Sequence, residues 1–142
     1  MTIRRHGHAF CSAAVGILVA SLLAGCSGSS FTDRLTTHIE TNDGTDVRLA
    51  DVIDDGDSFL VVCPYDTNIG ERLGFEWAEA PDTFRSDDSQ TVVVVDDGRV
   101  KSSHRIWLGD IHLCAADMRE LSALDEPLDF SQNAAGTWVL VD

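Results

Sequence analysis

The chain has 142 residues, 24 of them acidic against 10 basic, and a net charge of −14 with histidine neutral. That length holds one domain with a real core and not two. A charge of that size and sign repels phosphate backbones and anionic headgroups, which excludes nucleic acid as a partner.

In chain order, residues 1–25 read as an export signal. Arg4 and Arg5 give a basic start, an apolar run follows from Ala9 to Leu23, and Ala24 and Gly25 are small. This is the three-part pattern of secretory signals. The apolar run is about fifteen residues, interrupted by Ser12, Gly16 and Ser21, whereas a spanning helix needs about twenty. The arginine pair lacks the hydrophobic neighbours of the twin-arginine route, which favours the general secretory route and leaves both open. Leu23-Ala24-Gly25-Cys26 resembles the lipobox of bacterial lipoproteins. The resemblance covers the first 26 residues and implies a diacylglyceryl group on the Cys26 sulfur, with cleavage just before that residue.

Cleavage there leaves 117 residues, Cys26 to Asp142, with eight basic residues facing twenty-four acidic ones and a net charge of about −16. Residues 26–30 are a lipidated cysteine and a flexible tether of small residues. Residues 31–142 are a single globular domain. Cys11 leaves with the signal and Cys26 takes the lipid, so Cys63 and Cys114 remain as a pair in an oxidising compartment, which predicts a disulfide. Zinc is disfavoured, because neither cysteine has a ligand at C-x-x-C spacing and His112 lies only two residues before Cys114.

From Phe31 to Thr41 two patterns compete. Phe31, Leu35, His38 and Ile39 fit a helical face, while Leu35, Thr37, Ile39 and Thr41 alternate as in a strand. Asn42-Asp43-Gly44 followed by alternating Val47 and Leu49 tips the reading to a hairpin. Asp54-Asp55-Gly56-Asp57 breaks the chain before Phe59-Leu60-Val61-Val62-Cys63, an unbroken apolar run that reads as the central strand, covered on both faces. Pro64 stops it. A short helix follows, with Asp66, Thr67 or Asn68 as cap, Asn68 and Glu71 at capping-box spacing, Ile69 and Leu73 inward, and Gly74 as terminator. Phe75 and Trp77 should close over the sheet before a polar loop from Glu79 to Gln90.

Thr91 to Val95, the turn Asp96-Asp97-Gly98 and Arg99 to Ile106 form the clearest hairpin, read as a three-residue loop closed by a left-handed glycine. The returning strand is polar and guarded by Lys101 and Arg105, as an edge strand is. Cys114 to Leu124 suits a short helix through Met118 and Leu121, and Thr137 to Val141 a last strand. The sum is an α+β fold, a small antiparallel sheet with one or two short helices packed on it. Three segments, Val61 to Asp66, Arg72 to Trp77 and Val92 to Val100, are similar to small exported bacterial proteins of no known activity. That likeness implies an α+β domain and transfers no functional residue.

Chemical motifs are sparse. Each acidic turn puts an apolar residue where a calcium loop needs an oxygen ligand: Ile53 for Gly56, Val93 for Gly98 and Ile39 for Gly44. His38, His104 and His112 accompany no G-x-S-x-G elbow and no H-E-x-x-H, and no glycine-rich run leads into a helix. No catalytic residue, metal ligand or cofactor is therefore assigned. Tyr65, Phe75, Trp77 and Phe84 cluster around the short helix, and Tyr65 and Trp77, each with a polar atom, are candidates for the wall of a ligand pocket. The expected function is a binding or protein-interaction module, held through Cys26 at the extracytoplasmic face of the cell membrane beside an envelope protein partner. The alternatives are a small-molecule or cation-binding component and, third, a hydrolase.

Overall fold

The computed structural model describes residues 28–116, 118 and 120–141, so the expected export signal and Cys26 lie outside the described residues. In chain order the elements are α1 (Phe31–Thr41), β1 (Ser58–Val62), α2 (Ile69–Leu73), β2 (Ser89–Asp96), β3 (Arg99–Trp107), β4 (Ile111–His112), β5 (Ser122–Ala123), β6 (Asp129–Gln132) and β7 (Trp138–Val141). Single 3-10 turns occupy Leu49–Asp51 and Leu113–Ala115. Among the described residues no helix is long and apolar enough to cross a membrane.

The apolar run at Phe59 lies inside a four-stranded antiparallel sheet of order β3-β2-β1-β5. Alternation sends its side chains to two cores. Phe59 and Val61 join the larger one with Phe31, Leu35, Ile39, Ile106, Ile111, Phe130 and Leu140, whereas Leu60 and Val62 join the smaller one with Ile69, Leu73, Val93 and Val95. Both faces of the central strand are thus covered, as its unbroken hydrophobicity predicts. Phe75 and Trp77 pack on the smaller core, closing over the sheet.

Phe31–Thr41 resolves as a helix, not as part of a hairpin. Ser30 Oγ accepts from the Asp33 N–H at 3.1 Å and the Asp33 carboxylate accepts from the Ser30 N–H at 3.0 Å. This capping box fixes the first turn, and the same bonds hold the Asp33 carboxyl below the usual carboxylate range. Phe31, Leu35 and Ile39 are buried on one stripe. The threonines that made a strand plausible satisfy their hydroxyls inside the helix, Thr37 donating to Asp33 O and Thr41 to Thr37 O. Asn42-Asp43-Gly44 is the helix exit, with the Gly44 N–H donating to Ile39 O at 2.9 Å. Gly44 has φ +75°, and a Cβ there would lie 2.5 Å from Phe130 O. Val47 forms only a bridge to Leu128.

The β2–β3 hairpin forms, with a tighter turn than expected. Asp96 pairs with Arg99, leaving a two-residue loop of Asp97 (φ +48°) and Gly98 (φ +69°), the positive-φ pair whose twist suits a hairpin. A bulge between Val94 and Val95 accommodates an extra residue on β3, where Lys101 reaches Asp55 at 2.6 Å. That hydrogen-bonded carboxylate raises the Lys101 pKa. Among the described residues β3 has β2 as its only strand partner, so it is an edge. The α2 helix ends at Gly74 in the left-handed region (φ +79°), as expected, but Asn68 makes no side-chain cap and its box with Glu71 does not form.

One expectation for the C-terminal half fails. Cys114 to Leu124 is not a helix but a 3-10 turn at Leu113–Ala115 and then the short strand β5. Its backbone groups bond to distant partners: the Leu113 and Cys114 amides donate to Gln90 Oε1, and Met118 O accepts from Arg72. A second sheet, of order β4-β7-β6, was not anticipated. In it β7 pairs parallel with β4 and antiparallel with β6. Phe130 is the one buried residue of β6, too little hydrophobic signal for a sequence pattern to carry.

The Cys63–Cys114 disulfide joins the end of β1 to the turn after β4, with Cα atoms 5.9 Å apart, inside the range a bond spans without moving backbone. Its partners are 51 residues apart, and closing a loop of that size stabilises by about 4 kcal/mol in the chain-entropy description.

Candidate binding face

The two faces of the four-stranded sheet differ in what they leave exposed. On the α1 face, Ile106 is buried and His104 stacks on Phe31, with ring centroids 4.3 Å apart and planes at 20°. Ser102 Oγ lies 3.0 Å from His104 Nε2. Burial, with the Arg34 charge as a second cause, lowers the His104 pKa. Strand alternation turns Arg105 and Trp107 to the opposite face.

There Arg105 pairs across the sheet with Thr91, and Thr91 with Val62. Only part of this face is covered by α2, Phe75 and Trp77. Beyond them the chain bends at Pro64, and Tyr65 takes φ +67°. Its N–H donates to Thr83 O at 3.2 Å, and Thr83 Oγ1 donates to Asp66 O at 2.7 Å. These bonds fasten the 79–88 loop against the turn and stand Phe84 beside Tyr65, rings edge to face at 5.9 Å. Arg105 completes the cluster. Its guanidinium lies 5.3 Å above the Trp107 ring and donates to Ser89 Oγ at 2.8 Å and Ser86 Oγ at 3.2 Å. Arg105 also lines a cleft of about 70 Å³ with Pro64, Pro81, Thr83, Ser86 and Ser89 among others.

Tyr65, Phe84 and Trp107 are 58%, 63% and 52% exposed, although each is a large ring. Folding leaves them in water while Phe59, Phe31 and Phe130 are buried. Aromatic rings and arginine dominate the energetic centres of protein interfaces. No protein-family model, curated protein or solved structure matches the chain.

The expected Tyr65–Trp77 pocket is therefore not assembled as a pair. Tyr65 meets Phe84, while Trp77 packs on the smaller core and lines a groove with Phe75 and the start of β3. The left-handed turn at Tyr65 sets its ring against the 79–88 loop. Trp107 and Arg105 were missed because both sit in a strand that reads as a guarded edge. Their i, i+2 spacing at its end is the signal that would have found them.

Three other polar constellations lie outside the aromatic cluster. The buried Arg72 guanidinium binds the Asp66 carboxylate, Val61 O at 2.8 Å and Met118 O at 3.0 Å, while Asp66 also accepts from the Cys63 N–H at 2.8 Å. Together they hold the disulfide's surroundings. In α1, His38 Nε2 is sealed from solvent 3.1 Å from Asp51 Oδ2, without the alignment of a hydrogen bond. A groove of about 570 Å³ lined by Arg34, His38, Asp51 and Asp54 runs alongside. In the acidic turn, Asp55 pairs with Lys101 and Asp57 accepts from Ser58 Oγ.

Proposed function

We propose that the chain is a lipoprotein, exported and held at the extracytoplasmic face of the cell membrane by a lipid on Cys26, whose domain is a protein-binding module. The observation that carries the reading is the Cys63–Cys114 bond: such bonds persist in oxidising, exported compartments. The capped start of α1 at Ser30 agrees with it. Cys26 lies four residues before that cap, a span of about 14 Å when extended, so the domain would ride close to the bilayer. A diacylglyceryl group supplies the two chains that stable attachment takes.

Binding is favoured over catalysis by what the reactive groups already do. Both cysteines of the domain are spent on the disulfide, His104 is stacked on Phe31, and the threonines nearest His38 donate to backbone carbonyls. Ser102 Oγ does lie 3.0 Å from His104 Nε2, but among the described residues no carboxylate holds that imidazole, and a nucleophile's base needs a third group to orient it. A second reading, a small polar ligand in the groove beside His38 and Asp51, is favoured by that groove's size. The test is Cys26→Ser: the variant should leave the membrane fraction or accumulate unprocessed. A variant still cut before residue 26 and still sedimenting with membranes would sink the proposal.

A further inference from the structure

We propose that the Tyr65–Phe84–Trp107 face docks a cationic polypeptide segment of a second envelope protein, whose lysine or arginine side chains lie over the exposed rings and pair with Asp87 and Asp88. This rests on the binding-module reading and names its face and the chemistry of its partner. Two independent features point the same way. The first is the exposed rings, each able to attract a cation through its face, as Trp107 already does with Arg105. The second is charge. Residues 76–88, the loop that carries Phe84, hold Glu76, Glu79, Asp82, Asp87 and Asp88 against Arg85, which pairs with Asp82 at 3.1 Å, while Arg105 stands 3.9 Å from Asp88 and Asp87 has no ion pair among the described residues. Aromatic faces beside a loop of net negative charge match a segment that brings both positive charge and flat or aliphatic surface.

The same charge argues against the other occupants. A second copy would bring about −16 of its own to the contact, and like charges across an interface oppose association. An anionic lipid surface is repelled for the same reason. The face also lies on the side of the sheet opposite α1, the helix through which the tether enters.

The experiment uses the full chain in phosphatidylcholine nanodiscs and a fluorescein-labelled octalysine peptide, with octaglutamate as control, read by anisotropy at low and physiological salt. Octalysine should bind, weakening as salt rises, and octaglutamate should not. The double variant Phe84→Ala/Trp107→Ala keeps every charge and should weaken binding about five- to tenfold. Asp87→Asn/Asp88→Asn should weaken it by a similar factor. Asp125→Asn/Glu126→Gln makes the same charge change in an exposed turn beside the far end of β1, and should change affinity less than about twofold. Equal losses from the two charge variants would mean general attraction to an acidic protein and would overturn the proposal, as would an aromatic double variant that binds like the parent. Self-association abolished by Phe84→Ala would assign the face to a second copy instead. Anchoring is read separately: an unanchored parent chain that still binds octalysine defeats the lipoprotein reading, while an anchored chain that ignores the peptide defeats only this one.

Discussion

Gln90 is the polar side chain on which the C-terminal half depends most. It is 1% exposed. Its Nε2 donates to Ile111 O, and its Oε1 accepts from the Leu113 and Cys114 amides at 3.0 and 3.1 Å. One side chain thereby satisfies three backbone groups where the chain leaves β4 and enters the disulfide turn. Gln90→Leu keeps nearly the same volume and strands all three. Ile111 and Leu113 are fully buried, and each stranded buried group costs about 1–3 kcal/mol. Cys114 is partly exposed, so water can take over its amide. Leucine recovers about 1 kcal/mol through apolar burial, leaving a net loss of about 1–5 kcal/mol, centred near about 3. With a urea slope of about 1.5 kcal/mol/M, the unfolding midpoint should fall by about 2 M at unchanged slope. A midpoint within about 0.3 M of the parent would show that these amides find other partners, and would refute this account of why Cys114 to Leu124 is not helical.

Gly56 has φ +146°, and a Cβ there would lie 2.5 Å from Val94 Cγ1 and 3.2 Å from Leu124 Cδ1. Gly56→Ala should therefore lower stability by about 1–3 kcal/mol, measurable as a drop in melting temperature with the disulfide intact. An unchanged melting temperature would show that the turn relaxes freely. His104 supplies a pH dependence. Its folded pKa is lowered, so below the ordinary histidine value of about 6.5 the unfolded chain binds a proton that the folded chain resists. The contribution is fully present above that value and is lost as pH falls through the depressed folded one. His104→Phe should flatten the fall in urea midpoint between about pH 7 and 5 relative to the parent. Parallel curves would remove His104 as the cause.

Strand β1, the helix that Gly74 ends, the β2–β3 hairpin and the disulfide partners were all legible in the sequence. In each a short stretch carries its own instruction: an apolar run, a left-handed glycine, an Asp-Gly turn between alternating strands, or two cysteines left after the others are accounted for. Net charge is likewise read from the sequence alone, because it does not depend on how the chain folds.

What only the tertiary structure decided are the features whose stabilising partners lie far along the chain. Phe31–Thr41 carries both a helical and a strand pattern, and its burial against residues as distant as Phe130 and Leu140 accompanies the helix. The segment from Cys114 has a helical spacing, yet its first amide belongs to Gln90, its Met118 carbonyl to Arg72 and its Leu124 amide to Asp57. The candidate face is of the same kind. Tyr65, Phe84 and Trp107 come from a turn, a loop and an edge strand, joined through a Tyr65–Thr83 backbone bond and the reach of Arg105 to Ser86 and Ser89. Local pattern determines which conformation each stretch can adopt. Which surface stays open depends on the long-range bonds, and those cannot be read from spacing.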